Sequence, residues 1–354
     1  MIPGPVGGVK RATPPAPCYN RSISIGEMES STITLPALPR LQRSATIRQG
    51  RFMYPTLLQC GPLTLRAYGL MLAASFIAGM LLSARRARNR GIDPRHIYDL
   101  SLVILIAAIV GARLFHFVFH YEAYAITGEP FLQLLRIWDG GLMLFGGFTF
   151  ALVGTLIFLR IKKLPLWEIT DIVAPAVPLG MGLTRIGCFL NGCCFGRPTD
   201  SWLGMVFPNN APAYSIRTGI LPGTPVLPTQ LFESAFGFAL FAILLLVERK
   251  WKRFHGMIFG LMVTLFGAWR LFIEEYRYRE DDMHALDGLL SKNQVISLVI
   301  VLAGLAILVW RWLHARRTDG LLDPKAEWAA VEERIAKASK DRSKRSRAKR
   351  GKGK

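Results

Sequence analysis

Arg185 and Arg270 each stand inside an apolar run of this 354-residue chain, the first in PLGMGLTRIGCFLNGCCFGRPTD (178–200) and the second in FGAWRLFIEEYRYRE (266–280). A guanidinium at membrane depth costs roughly 2.5–3.5 kcal/mol on insertion scales, so each requires a polar partner or a polar task. Guanidinium pairs with phosphate through two parallel hydrogen bonds, and cations fixed in advance stabilise charge developing on a departing phosphate. Two arginines at one depth of a cavity therefore read as a site for a lipid phosphate, in a membrane enzyme or a carrier. Arg270, Glu274 and Arg277 share about one helical face, so one carboxylate can pair while the cations point toward an anion. Glu233, in PTQLFE (228–233), stands where it can balance an arginine.

Other candidates are weighed against plainer roles. His116 and His120 are four residues apart, the spacing of a helix-borne metal pair, but no third ligand accompanies them; hydrogen-bonded or interfacial histidines are expected, and no metal. Arg113 lies on the same run. Of the five cysteines, Cys188, Cys193 and Cys194 fall at one place, where packing or a disulfide is expected and the pairing of Cys188 with either of the others stays open. Gly140, Gly141, Gly146 and Gly147 form two pairs that allow close helix packing or a close ligand. Tyr68 follows Arg66 at the head of an apolar run, as interfacial anchors do. Asn191-Gly192 breaks the helix that carries Arg185.

The elements holding these residues are apolar runs. A bilayer core about 30 Å thick needs roughly 20 residues of helix. Seven runs qualify, at 65–82, 97–120, 141–159, 169–190, 231–247, 257–273 and 295–312. The expected fold class is an all-α polytopic membrane protein with seven transmembrane helices and an external cap between helices four and five. The chain is 51% hydrophobic with mean hydropathy +0.30. A net charge of +20 would suit nucleic acid in a soluble protein. Here Lys and Arg cluster at 85–90, 160–163, 248–253 and 311–317, after the first, third, fifth and seventh runs. The positive-inside rule puts those clusters in the cytoplasm, with the chain entering from outside and ending inside.

Pro175 and Pro178 inside the fourth run are tolerated where neighbours or a cavity satisfy the backbone, and Arg185 would face that cavity. Residues 191–228 carry six prolines, at 198, 208, 212, 222, 225 and 228, and read as a folded cap or a substrate-binding loop. Residues 1–55 read as a basic disordered extension, 56–317 as the transmembrane domain and 318–354 as a basic cytoplasmic tail suited to anionic lipid, with no nucleic acid. A basic arm outside the membrane contradicts the positive-inside rule, so translation is expected to start at Met53, or at Met28, and the first stretch to be a mis-assigned start.

RAYGLM (66–71), WDGGLMLFGG (138–147), GLTRIGCFLNGCCFGRPTD (182–200), PTQLFE (228–233) and FGAWRLFIEEYR (266–277) stand in the order found in the prolipoprotein diacylglyceryl transferases. The chain resembles that family over 62–312. The resemblance implies a bacterial inner-membrane enzyme that transfers the diacylglyceryl group of phosphatidylglycerol to the lipobox cysteine in a prolipoprotein signal peptide. A thioether forms, glycerol phosphate leaves, and no cofactor is required. It makes Arg185 and Arg270 the catalytic cations and gives Tyr68, Arg113, Gly140, Gly141, Gly146, Gly147, Asn191, Gly196, Glu233 and Arg277 to the substrate site. Phe145 replaces a histidine common in the family, Cys188 and Cys193 replace an Asn and a Glu, and Phe266 replaces a Tyr. His116 is then the nearest substitute base. Two further readings follow from these departures: a non-catalytic paralogue that binds anionic lipid, and a transferase using a related lipid phosphate with another acceptor.

Overall fold

A computed structural model describes residues 56–60, 63–121, 143–208, 211–214, 218–278, 284–285 and 290–351. The chain runs β1 (Thr56–Cys60), β2 (Leu63–Arg66), α1 (Ala67–Asn89), α2 (Pro94–Phe119), α3 (Leu144–Ile161), α4 (Leu166–Val173), α5 (Ala176–Asn191), α6 (Thr229–Trp251), α7 (Met257–Ile273), β3 (His284–Ala285), β4 (Leu290–Ser291), α8 (Lys292–Arg317) and α9 (Pro324–Gly351). The helical polytopic class expected from the sequence holds; among the described residues it is supplemented by two short antiparallel hairpins, β1–β2 and β3–β4, each leading into a long helix. Both use the few residues left between an apolar helix and the preceding polar segment.

Local chemistry sets the helix ends. Asp93 accepts from Arg95 N at 2.9 Å with Pro94 in the first turn, which starts α2. Ser291 and Gln294 form a capping box at the head of α8. The expected fourth run is divided: α4 stops at Val173, Pro175 precedes α5, and α5 ends at Gly192 with φ +70°. Proline supplies no N–H to the helix ladder, which is why one apolar run becomes two helices.

Among the described residues, five helical stretches are long and apolar enough to cross a membrane: α1, α2, the α4–α5 run, α6 and α8; α3 and α7 are shorter apolar helices. Leu102, Ile106 and Val110 on α2, Leu152 and Ile157 on α3, and Val299, Leu302 and Val309 on α8 are all exposed. Apolar surface on that scale marks contact with lipid rather than water. The α4–α5 run is the central one, with 44% of its apolar window buried against 11% for α8. It packs on α1 and α6, while α2 packs on α3 and α7 on α8.

One end of the helix array is closed by charge. Lys252 and Asp171, neither with any exposed side-chain surface, lie 3.5 Å apart. Asp171 also accepts from Gly256 N at 2.9 Å and Phe259 N at 3.0 Å, which caps α7 from α4. Glu248 pairs with Arg86 at 2.7 Å and with Arg90, and Glu327 of α9 reaches Lys252 at 3.1 Å and Arg90 at 3.3 Å. The arginines expected to face water thus partly turn inward on buried carboxylates. The connecting segment between α5 and α6 has its own small core of Phe195, Phe207, Tyr214, Ile220 and Val226. Phe207 N donates to the Tyr214 hydroxyl at 2.9 Å, and that hydroxyl donates to Thr224 O at 2.9 Å.

Candidate active site

Glu233 is the centre around which the expected site residues gather. It sits in the second turn of α6 with a side chain 3% exposed. Arg185 Nε of α5 pairs with its Oε2, while Arg270 Nη1 of α7 and Arg277 Nη1, just beyond α7, lie 3.2 Å and 3.4 Å from its Oε1. Arg270 Nη2 is also 3.0 Å from Glu274 Oε2, and Asn293 Nδ2 of α8 donates to Glu274 Oε1 at 2.8 Å. Three guanidinium groups against two carboxylates leave one positive charge over. The guanidinium side chains keep 20%, 23% and 19% of their surface exposed, so an anion can reach what the carboxylates cannot.

Small residues bring these charges together. Ser234 Oγ donates to Gly182 O at 2.9 Å. A Cβ added at Gly237 would lie 2.8 Å from Pro178 O, so α5 and α6 meet almost backbone to backbone beside Arg185 and Glu233. On the other side of α5, a Cβ at Gly187 would come 2.8 Å from Met71 Cβ and 3.3 Å from Tyr68 Cα. Thr184 Oγ1 donates to Ser75 Oγ at 3.1 Å. That contact sets Tyr68, in the first turn of α1, beside Arg185 and the three cysteines.

The chain leaving α5 forms the rim. Gly196 bridges to Arg277 in an antiparallel pair, and a Cβ there would meet Tyr276 O at 2.6 Å and Thr229 Cγ2 at 2.8 Å. Gly196 therefore works through close approach of two backbones, which fixes Arg277. Asn191, the last residue of α5, neighbours Cys193, whose Sγ donates to Cys188 O at 3.7 Å. Thr229 Oγ1 donates to Cys194 O at 3.1 Å and Gln230 Nε2 to Cys193 O at 2.8 Å. Cys188, Cys193 and Cys194 are free thiols. Hydrogen bonds from Cys188 and Cys193, with the Arg185 and Arg277 cations nearby, hold the Cys194 thiol below its ordinary range despite burial.

A second group stands on α2 and α3. Arg113 is buried, His116 has Arg113 and His120 as neighbours, and the His116 and His120 rings stack at 4.5 Å. Gly146 and Gly147 pack on α2: a Cβ at Gly146 would lie 2.6 Å from Phe115 Cγ, and one at Gly147 3.1 Å from Ala108 O. Phe145 is 61% exposed. Gly140 and Gly141 lie outside the described residues. Gln230 and Asn293 were not singled out from the sequence; PTQLFE carried the first, while nothing near Asn293 marked it.

An apolar groove of about 480 Å³ runs between α6 and α7 next to the cluster, lined by Phe232, Ala235, Phe236, Ala239, Trp269 and Phe272 among others. Phe232 and Trp269 are the chain neighbours of Glu233 and Arg270, so the same two helices that carry the cluster also line the groove.

Lipid-facing helices around a buried, net-positive cluster define a multi-pass membrane protein with a site for an amphipathic anion. The profile of the prolipoprotein diacylglyceryl transferases matches residues 55–310. Three similar proteins are each named phosphatidylglycerol–prolipoprotein diacylglyceryl transferase. That of Symbiobacterium thermophilum is 32% identical over 73% of this chain and 93% of its own. That of Cupriavidus pinatubonensis is 34% identical over 75% and 93%, and that of Nitrosomonas europaea 36% identical over 75% and 91%. The chain belongs to the prolipoprotein diacylglyceryl transferase family and is a transferase of lipoprotein biosynthesis.

Proposed function

We propose that this chain moves the diacylglyceryl group of phosphatidylglycerol onto the lipobox cysteine thiol of a bacterial prolipoprotein, forming a thioether and releasing glycerol phosphate. The observation that carries the reading is the convergence of Arg185, Arg270 and Arg277 on Glu233 with positive charge left over. In this reading Arg185 and Arg270 hold the phosphate and stabilise it as it leaves, since charge growing on oxygen meets cations already in place. Glu233 and Arg277 keep the two guanidiniums aligned. Tyr68 and Asn191 line the lipid entrance, Gly196 fixes the rim, and the groove between α6 and α7 receives an acyl chain. Arg113, His116, Gly140, Gly141, Gly146 and Gly147 belong to the acceptor side, with His116 the side chain available to take a proton in place of Phe145.

The same reading gives the chain seven spans in the bacterial inner membrane. The shorter α7, 17 residues and about 26 Å long, is within the mismatch that tilting or local thinning absorbs. Residues 1–55 precede the 56–317 transferase domain on the outer side, with 191–228 as its external cap. Residues 318–354 lie in the cytoplasm, where their cations meet anionic lipid at about 1 kcal/mol each.

Purified protein, phosphatidylglycerol and a lipobox peptide test the reading by mass spectrometry. The expected product is the peptide plus one diacylglyceryl group on sulfur. A folded, lipid-binding protein that gives no adduct, and that fails to restore lipoprotein modification in a transferase-deficient bacterium, would overturn it in favour of a lipid-binding paralogue.

A further inference from the structure

Three sulfurs stand at the edge of the arginine cluster, with Cys188 and Cys194 as neighbours of Arg185. Cys188 lies in the last turn of α5, Cys193 and Cys194 follow the Gly192 break, and their Sγ atoms all lie within 4.8 Å of one another. The triangle closes because two residues take the left-handed backbone region, Gly192 at φ +70° and Cys194 at φ +61°. For a residue with a Cβ that conformation is uncommon and has to be held. Here it is held from three sides: Cys193 N donates to Cys188 O at 3.1 Å, Gln230 Nε2 to Cys193 O at 2.8 Å and Thr229 Oγ1 to Cys194 O at 3.1 Å. Thr229 and Gln230 are fully buried. The thiols are thus a fixed constellation rather than neighbours on a mobile loop.

A disulfide uses two sulfurs; three converging on one point is a ligand set. Zinc–sulfur bonds of about 2.3 Å put tetrahedral sulfurs about 3.8 Å apart, so the triangle closes on such an ion with a contraction of about 1 Å or less. Thiolates select soft and borderline cations, and three protein ligands with one open position is the arrangement of catalytic rather than structural zinc. The neighbours are Tyr68, Arg185 and Arg277. Three thiolates on a dication carry one net negative charge, which the one positive charge left over in the arginine cluster offsets, and a fourth sulfur adds a second.

We infer that Cys188, Cys193 and Cys194 bind one divalent cation of the zinc class, whose fourth position takes the acceptor thiol as thiolate. The inference rests on the transferase reading above and adds how this chain readies its nucleophile. Coordination releases the thiol proton, which passes to His116 or to solvent. The sulfur lone pair then forms the C–S bond to the glyceryl carbon while the C–O bond to phosphate breaks, and that bonding pair leaves on the glycerol phosphate held by Arg185 and Arg270. The open position stands beside the cluster that holds the leaving group, and the chain supplies no proton acceptor at Phe145.

The test uses the full chain in detergent, stripped of metal under reductant and titrated with Co²⁺ and then Zn²⁺. One equivalent of cobalt with sulfur-to-metal charge-transfer absorption, displaced by zinc, is expected. Cys188→Ser and Cys193→Ser are expected to weaken binding more than about 100-fold, beyond what an outer-shell change produces. Without any variant, zinc should shield three thiols of the wild-type chain from maleimide by intact mass. A lipobox peptide should shift the cobalt spectrum and its Cys→Ser version should not. Absence of stoichiometric binding, a native disulfide among the three with no loading after reduction, or a spectrum indifferent to the peptide would each overturn the inference. A site that binds cobalt and responds to the peptide, in a protein that forms no thioether, supports the inference and removes the transferase reading instead.

Discussion

Glu233 Oε1 lies 3.2 Å from Arg270 Nη1, joining the second turn of α6 to the last turn of α7. Because Arg185 and Arg277 use the same carboxylate, Glu233→Gln keeps the shape and removes the charge that lets three cations coexist. Removing one partner of a buried pair costs about 3–5 kcal/mol. The variant is expected to denature at lower temperature in detergent and to lose thioether formation; wild-type values for both would separate the cluster from the chemistry.

Arg270→Lys retains the positive charge but not the planar fork that binds Glu233 and Glu274 through separate nitrogens. A fall in kcat/KM of about 10- to 100-fold, equivalent to about 1.4–2.8 kcal/mol at the transition state, is expected. Arg185→Gln, which loses charge as well, should fall further. Steady-state kinetics with a fluorescent lipobox peptide measure both.

Ala235→Trp places an indole in the groove between α6 and α7. If an acyl chain lies there, KM for long-chain phosphatidylglycerol rises several-fold while a short-chain analogue is turned over at close to the wild-type rate. Equal effects on both lipids would mean that the groove does not receive the chain.

Gly196→Ala pushes a methyl group to within 2.6 Å of Tyr276 O. Separating the 196–277 bridge is expected to cost about 1–3 kcal/mol, as overpacking does. Limited proteolysis should then cut within the 197–228 segment before any helix, with activity falling in parallel as Arg277 loses its place.

His255 sits outside the membrane-spanning segments, between α6 and α7, and its Nδ1 is buried without a hydrogen-bond partner among the described residues. Burial, and then the Lys252 cation, lower its tendency to take a proton. In the unfolded chain it titrates near its ordinary value of about 6.5. Above that pH both states are neutral and the folded state carries no penalty. As pH falls below it the unfolded state binds the proton first, so stability declines until the lowered folded value is reached. Thermal denaturation between pH 7.5 and 5 should show this slope, and His255→Gln should flatten it.

The helices were legible because apolar runs of membrane length admit little else: the run expected at 257–273 and α7 have the same bounds. Arg185 and Arg270 were legible as cations in the wrong solvent, and the Arg270–Glu274 pair as an i, i+4 neighbour. What could not be read was pairing across helices. Nothing local to Glu233 says that it answers three arginines, and nothing local to Lys252 and Asp171 says that both lose all contact with water. Those facts depend on Gly182, Gly187 and Gly237 letting backbones meet, and glycine is too common in membrane helices to announce which contact it serves. The cysteine triangle was invisible for a related reason: sequence gave three nearby thiols, while their convergence depends on the left-handed backbone of Cys194.

The division of labour between Arg185 and Glu233 also bears on how the protein is made. The cation leaves the ribosome one helix before the carboxylate that neutralises it. Until α6 arrives, α5 carries an unpaired guanidinium that favours the interface by about 2.5–3.5 kcal/mol over the bilayer centre. Final seating of α5 must therefore follow synthesis of α6, so biogenesis of the site is a concerted docking of two helices joined through the 192–228 segment rather than the sequential insertion of independent ones.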